Sequence, residues 1–222
     1  MSKNIAFFGA STGCGLAALR HSLAAGYTCT ALCRNPGRLT TALSATESTP
    51  AVPQDKLRVV QGNAHSVEDV ARCLAAPGTP TGLVDAVVFS IGGAFQWKSM
   101  KIDDPTVCDR GVETLLAAIS KLRAEGAGSG SGTGPKVVVV STTGISEFGR
   151  DIPLAMIPLY AALRSPHADK KKMEERIRTS GEAWTAVRPS LLVEEGEDEK
   201  GEKAEKEIRV GEYLGKAVTI TY

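Results

Sequence analysis

Apolar and polar positions alternate along this chain on two length scales. Short, nearly continuous apolar runs occupy Asn4–Phe8, Thr28–Cys33, Leu57–Gln61, Ala86–Ser90, Lys136–Ser141 and Trp184–Val187, rich in Val, Ile, Phe and Thr. They lack strict two-residue alternation, so they read as strands of a parallel sheet covered on both faces. Longer segments between them, Gly15–Ala25, Val67–Ala75, Asp104–Ala124 and Ala168–Thr179, carry apolar residues at helical spacing. In the last, Met173 and Ile177 stand one helical turn apart among Lys and Glu. Strand and helix in repeated alternation predict an α/β fold, a doubly wound parallel sheet with right-handed crossovers.

Two segments break the rhythm. Gly126–Gly134 has no side chains able to hold a core contact and reads as a flexible surface loop. Glu194–Glu207 carries eight acids and three lysines and reads as a solvated excursion. Residues 1–193 are therefore expected to form the main body. Residues 194–222, an acidic loop and a terminal strand, are expected to complete the same domain.

Composition adds limits. The chain has 222 residues, 42% hydrophobic and 23% charged, as in an ordinary globular protein with a full core. A net charge of +1 argues against a dedicated nucleic-acid binder, and no apolar run is long enough to span a bilayer. The N-terminal apolar stretch is short and runs into glycines, unlike a signal peptide. The five cysteines, Cys14, Cys29, Cys33, Cys73 and Cys108, form no Cys-x-x-Cys pair, and His21, His65 and His167 are far apart. Reduced thiols in a cytoplasmic protein are expected, with no disulfide framework and no metal site. Charge is unevenly spread: 194–207 carries −5, which leaves +6 for the rest, a sign that suits an anionic ligand.

The strongest chemical signal is Gly9-Ala-Ser-Thr-Gly13-Cys-Gly15, between the first strand and the first helix. Glycines there permit a tight turn, close approach of a ligand to the backbone, and close helix–strand packing. The helix that follows offers unpaired amides and the positive end of its dipole to a pyrophosphate. Gly9, Ser11, Thr12, Gly13, Cys14 and Gly15 are thus expected to bind a dinucleotide on an NAD(P)-binding Rossmann fold. An Asp or Glu ending the second strand would select NAD by its ribose 2′-hydroxyl. Here Leu32-Cys33-Arg34-Asn35-Pro36-Gly37-Arg38 holds two arginines and no acid, so Arg34 and Arg38 favour the 2′-phosphate of NADP. Asn63 at the third strand's end, and Ser90 and Gly92 at the fourth's, are placed to meet adenine and ribose. Ser141, ending the fifth, is placed near the nicotinamide.

These residues, together with Ser180-Gly181 and Trp184-Thr-Ala-Val-Arg188-Pro189-Ser190, resemble the atypical short-chain dehydrogenase/reductases. The nearest branch is the NmrA-like and biliverdin reductase B-like NAD(P)-binding proteins, over about residues 3–193. The resemblance implies cofactor contact at Pro189. It also implies a Tyr-x-x-x-Lys pair, with the tyrosine as acid/base and the lysine holding the nicotinamide ribose. Counting back from Ser180-Gly181, the lysine position falls on Lys170 and the tyrosine position on Pro166, which cannot transfer a proton. Tyr160 and Arg164 share the spacing out of register and read as structural. Ser141, Lys170 and His167 are the remaining catalytic candidates.

The expected function is an NADP-dependent oxidoreductase passing hydride to a small carbonyl, quinone or conjugated substrate. Two alternatives stand beside it. One is a non-catalytic, NADP-sensing NmrA-like regulator with a protein partner, favoured by Pro166. The other is a cofactor-retaining isomerase or dehydratase of secondary metabolism. Family members also place a substrate loop and helix after the Arg-Pro-Ser segment, and this chain has little room for them.

Overall fold

The computed structural model describes residues 3–44, 54–78, 81–93, 95–96, 101–129, 134–146, 157, 160, 164–189, 209–213 and 217–221. The acidic stretch 194–207, the centre of the glycine-rich stretch and Ser190 lie outside the described residues.

Among the described residues, the main sheet has eight strands, and six parallel ones form its body: β1 (Asn4–Phe8), β2 (Thr28–Cys33), β3 (Leu57–Gln61), β4 (Ala86–Phe89), β5 (Lys136–Val140) and β6 (Trp184–Pro189). They lie in the order β3-β2-β1-β4-β5-β6, so the winding reverses between β1 and β4. Beyond β6, Ala217–Thr221 (β8) pairs parallel to it and Arg209–Tyr213 (β7) pairs antiparallel to β8. Among the described residues, the strands are connected by helices α1 (Gly13–Ala24), α2 (Pro36–Ser44), α3 (Val67–Leu74), α4 (Val107–Ala124) and α5 (Arg164–Thr179). This is the expected doubly wound Rossmann sheet.

Two cores flank it, one on each face. Along β1, Ile5 and Phe7 join Leu19 and Leu23 of α1 and Leu39 of α2. Their neighbours Ala6 and Phe8 point the other way, into a core with residues of α3, α4 and α5, including Met173 and Ile177. Burying each Phe or Leu stabilises by about 1.5–3 kcal/mol. Both faces of β1 are filled, which is why its sequence does not alternate.

The elements depart from expectation in three places. Pro36–Ser44, to which the apolar spacing assigns no element, is a helix: the Asn35 side-chain oxygen accepts from Arg38 N at 3.3 Å, and Pro36 opens the first turn. An Asn-Pro pair suits those two positions of a helix start. Next, α4 begins at Val107 rather than Asp104, because the Asp104 carboxylate accepts from Thr106 N and Oγ1, both at 3.0 Å, and forms a turn. Finally, within the glycine-rich stretch, Gly128–Ser129 pairs parallel with Gly82–Leu83 and so makes an ordered contact.

Candidate functional site

The sheet reverses direction between β1 and β4, and a cleft of about 670 Å³ opens above the carboxyl ends of β1–β4. Its floor is the glycine turn. Gly9 has φ +90°, and a Cβ there would stand 2.8 Å from Ile91 N and from the Ser90 carbonyl. Gly15 is tighter still: a Cβ would lie 2.2 Å from Ser90 Oγ and 2.4 Å from Gly9 O. The Ser90 hydroxyl donates toward Phe8 O (3.2 Å) and Gly9 O (3.1 Å). Ser90 thus lines the cleft while its hydroxyl holds the turn.

Thr12 precedes α1 in extended backbone but makes no side-chain cap, and the first turn of α1 has no acid. The helix's initial amides and positive dipole end are therefore met neither by a Thr12 cap nor by a first-turn acid. By contrast, Ser66 Oγ accepts from Asp69 N at the start of α3, whose first turn holds Glu68 and Asp69. The α4 amides of Cys108 and Asp109 both donate to the buried Asp169 carboxylate, each at 2.9 Å. The uncapped start of α1 and a backbone too close for side chains, at the floor of this cleft, fit a dinucleotide pyrophosphate.

One end of the cleft is basic. Arg34 and Arg38, both exposed, line it with Asn63 and His65. Asn63 is held at both ends: its N–H donates to Asp69 Oδ2 (2.8 Å), and its side-chain oxygen accepts from His65 N (3.1 Å). The Asn63 amide, then the Arg72 side chain, hold the Asp69 carboxyl below its ordinary value. Ser11 Oγ lies 3.8 Å from Cys33 Sγ; burial pushes that thiol up, partly offset by the hydroxyl.

A second group gathers at the ends of β5 and β6. Lys170 Nζ donates to Ile91 O (3.1 Å) and Val140 O (2.6 Å), bridging β4 and β5 beside the cleft. Ser141 is 5% exposed, and its buried Oγ has no partner among the described residues. Thr143 Oγ1 and Tyr160 OH share a 2.7 Å hydrogen bond. The Tyr160 ring stacks on His167, centroids 5.1 Å apart. Pro166 falls in the first turn of α5, where a missing N–H costs no helical bond.

The structure therefore brings Gly9, Ser11, Thr12, Arg34, Arg38, Asn63, Ser90 and Gly92 into one cleft. Gly13, Cys14 and Gly15 form the adjoining first turn of α1. Ser141, His167 and Pro189 do not line that cleft; Lys170 touches it through Ile91. Sequence reasoning missed His65 and Asp103 in the cleft, and the bond from Tyr160 to Thr143. Only the Gly62-Asn63 strand end signalled His65. Among the described residues, no three His, Cys, Asp or Glu side chains are grouped to hold a metal ion. No helix among them is long and apolar enough to cross a membrane.

A family model described as NAD(P)H-binding matches residues 9–214. The chain belongs to this NAD(P)H-binding family. It is 35% identical to reductase pytE of Aspergillus terreus over 262 aligned residues, covering 98% of this chain and 97% of that protein. Since the alignment is longer than this chain, pytE carries internal residues without a counterpart here. Oxidase pynE of Aspergillus niger is 33% identical over 199 residues, 80% of this chain and 71% of that protein. Among solved structures, ChuY, an anaerobillin reductase of Escherichia coli O157:H7, superposes with TM-score 0.62 at 16% identity. It is covered over 96% of its length by 98% of this chain, a likeness of fold. Together they place the chain's fold among the atypical short-chain reductases that its motifs resemble.

Proposed function

We propose that this family member is an NADP-dependent oxidoreductase that reduces a small carbonyl, quinone or conjugated substrate. The observation that carries the cofactor choice is the pair Arg34 and Arg38 lining the basic end of the cleft, with no acid between residues 32 and 38. Guanidinium groups pair with a 2′-phosphate in a way that a ribose hydroxyl cannot repay. The names of pytE and pynE, a reductase and an oxidase, support redox chemistry.

Each residue would act by its position. Gly9, Gly13 and Gly15, with Ser11, Thr12 and Cys14 beside them, hold the pyrophosphate against the α1 amides. Arg34 and Arg38 take the 2′-phosphate. Asn63, Ser90 and Gly92 shape the adenosine and ribose walls, and Pro189 closes the nicotinamide side. Lys170 spends two of its three N–H donors on Ile91 O and Val140 O, leaving one for the nicotinamide ribose. Ser141, whose hydroxyl has no partner among the described residues, would polarise the substrate oxygen, and His167, stacked on Tyr160, would be the proton source. When bound, NADPH supplies the hydride; the protein supplies orientation and electrostatics.

Fluorescence titration with NADPH and NADH tests the reading. Wild type should prefer NADPH, and Arg34→Ala should weaken NADPH about tenfold while sparing NADH. An unchanged preference would refute the assignment. Following NADPH oxidation over quinones and enones then tests catalysis. Pro166 at the family tyrosine position favours a second reading, a cofactor sensor that binds a protein partner. Tight NADPH binding without oxidation of any acceptor would select it.

A further inference from the structure

We propose that His65 is a specificity-determining residue of the cleft: it takes up a proton as the 2′-phosphate arrives and so widens the NADPH preference as pH falls. The proposal rests on the NADP reading above. His65 lines the same cleft as Arg34 and Arg38, and its buried Nδ1 has no hydrogen-bond partner among the described residues. Its backbone N–H donates to the Asn63 side-chain oxygen at 3.1 Å, which fixes the point from which the ring projects.

The charges around it come from four elements. Arg34 follows β2, Arg38 lies in α2, Arg110 in α4, and Asp103 and Asp104 precede α4. Asp104 is largely committed elsewhere: it accepts from Thr106 N and Oγ1 and stands 3.6 Å from Arg110. Burial first, then Arg110, hold His65 below its ordinary value; Asp104 opposes them and Arg34 adds to them. In the free protein near neutrality the imidazole is therefore neutral.

A phosphate dianion between Arg34 and His65 reverses that balance. It neutralises the repulsion from Arg34 and attracts the imidazolium directly. His65 then takes one proton from solvent, and no covalent bond changes. By linkage, a ligand that raises a group's pKa binds more tightly as pH falls through the interval between the two values. NADH has no 2′-phosphate and should show no such dependence. The phosphate's own second proton, near pH 6, opposes the effect, so the useful window lies above it.

Calorimetric titration in buffers of different ionisation enthalpy reads proton uptake directly. At about pH 7, wild type should take up a fraction of a proton with NADPH and none with NADH. The NADPH-to-NADH affinity ratio should rise about fivefold from about pH 8 to about pH 6.5. His65→Gln should remove both effects, and its urea midpoint reports that it is folded. His65→Lys, always charged, should keep a high ratio at both pH values without uptake. Equal uptake and equal pH slope in wild type and His65→Gln would overturn the proposal, as would absence of uptake in wild type that still prefers NADPH. If the NADP reading itself is wrong, wild type shows no NADPH preference at any pH and Arg34→Ala changes nothing.

Discussion

Ser90 and Gly15 show how one atom decides a position in this molecule. The Ser90 hydroxyl fills the space where a Gly15 Cβ would stand, while bonding the carbonyls of Phe8 and Gly9. Gly15→Ala would gain about 0.5–1 kcal/mol of helix propensity. It would also force a methyl group against backbone, an overpacking cost of typically 1–3 kcal/mol. The second effect is larger, so a urea midpoint should fall by about 1–2 kcal/mol of stability, with NADPH affinity reduced. A neutral or stabilising substitution would mean a looser turn. The glycine pattern was legible in the sequence because its placement between strand and helix is a local property. The Ser90 bond was not, since 81 positions separate it from Gly9.

At the scale of elements, α5 is the device that sets Lys170. Asp169, 3% exposed, accepts the first amides of α4, and so locks the two helices together beside Lys170. On the same helix, Glu174 pairs with Arg188 of β6 through Nε at 2.9 Å, both largely buried. Asp169→Ala would leave two amides without their acceptor and should cost about 2–3 kcal/mol by urea unfolding. Lys172→Ala, on the exposed face of the same helix, should stay within about 0.5 kcal/mol. If the two variants unfold alike, Asp169 is not the cap described. The Lys170 register was readable from its distance to Ser180-Gly181. The cap was not, because a carboxylate serving another helix leaves no local pattern.

For the whole molecule, part of the acid stability follows from two carboxylates, Asp69 in the first turn of α3 and Asp104 before α4. Hydrogen bonds from the Asn63 amide lower Asp69, and those from Thr106 lower Asp104, from an ordinary 3.8. A lowered folded pKa means that the contribution is full above 3.8 and is lost as pH falls through the folded values. Urea midpoints should therefore drop below about pH 4, and Asp69→Asn should flatten part of that fall. An acid limb unchanged by Asp69→Asn would remove Asp69 from the account. The charge division, −5 in residues 194–207 against +6 elsewhere, acts at this scale too, favouring an anionic ligand over the remainder of the chain.

By itself, the sequence determined the doubly wound sheet and the glycine turn between β1 and α1. These follow from continuous apolar runs, helical periodicity and glycines whose neighbours are adjacent in the chain. Tertiary structure alone decided which polar groups meet. Residues 34, 65 and 110 converge only because β2 and β3 end, and α4 begins, in the same part of the molecule. Tyr160 finds Thr143, and Lys170 finds Ile91 and Val140, across crossovers that no local pattern encodes. Electrostatics and hydrogen bonding depend on distance in space, whereas propensity and periodicity depend on distance along the chain.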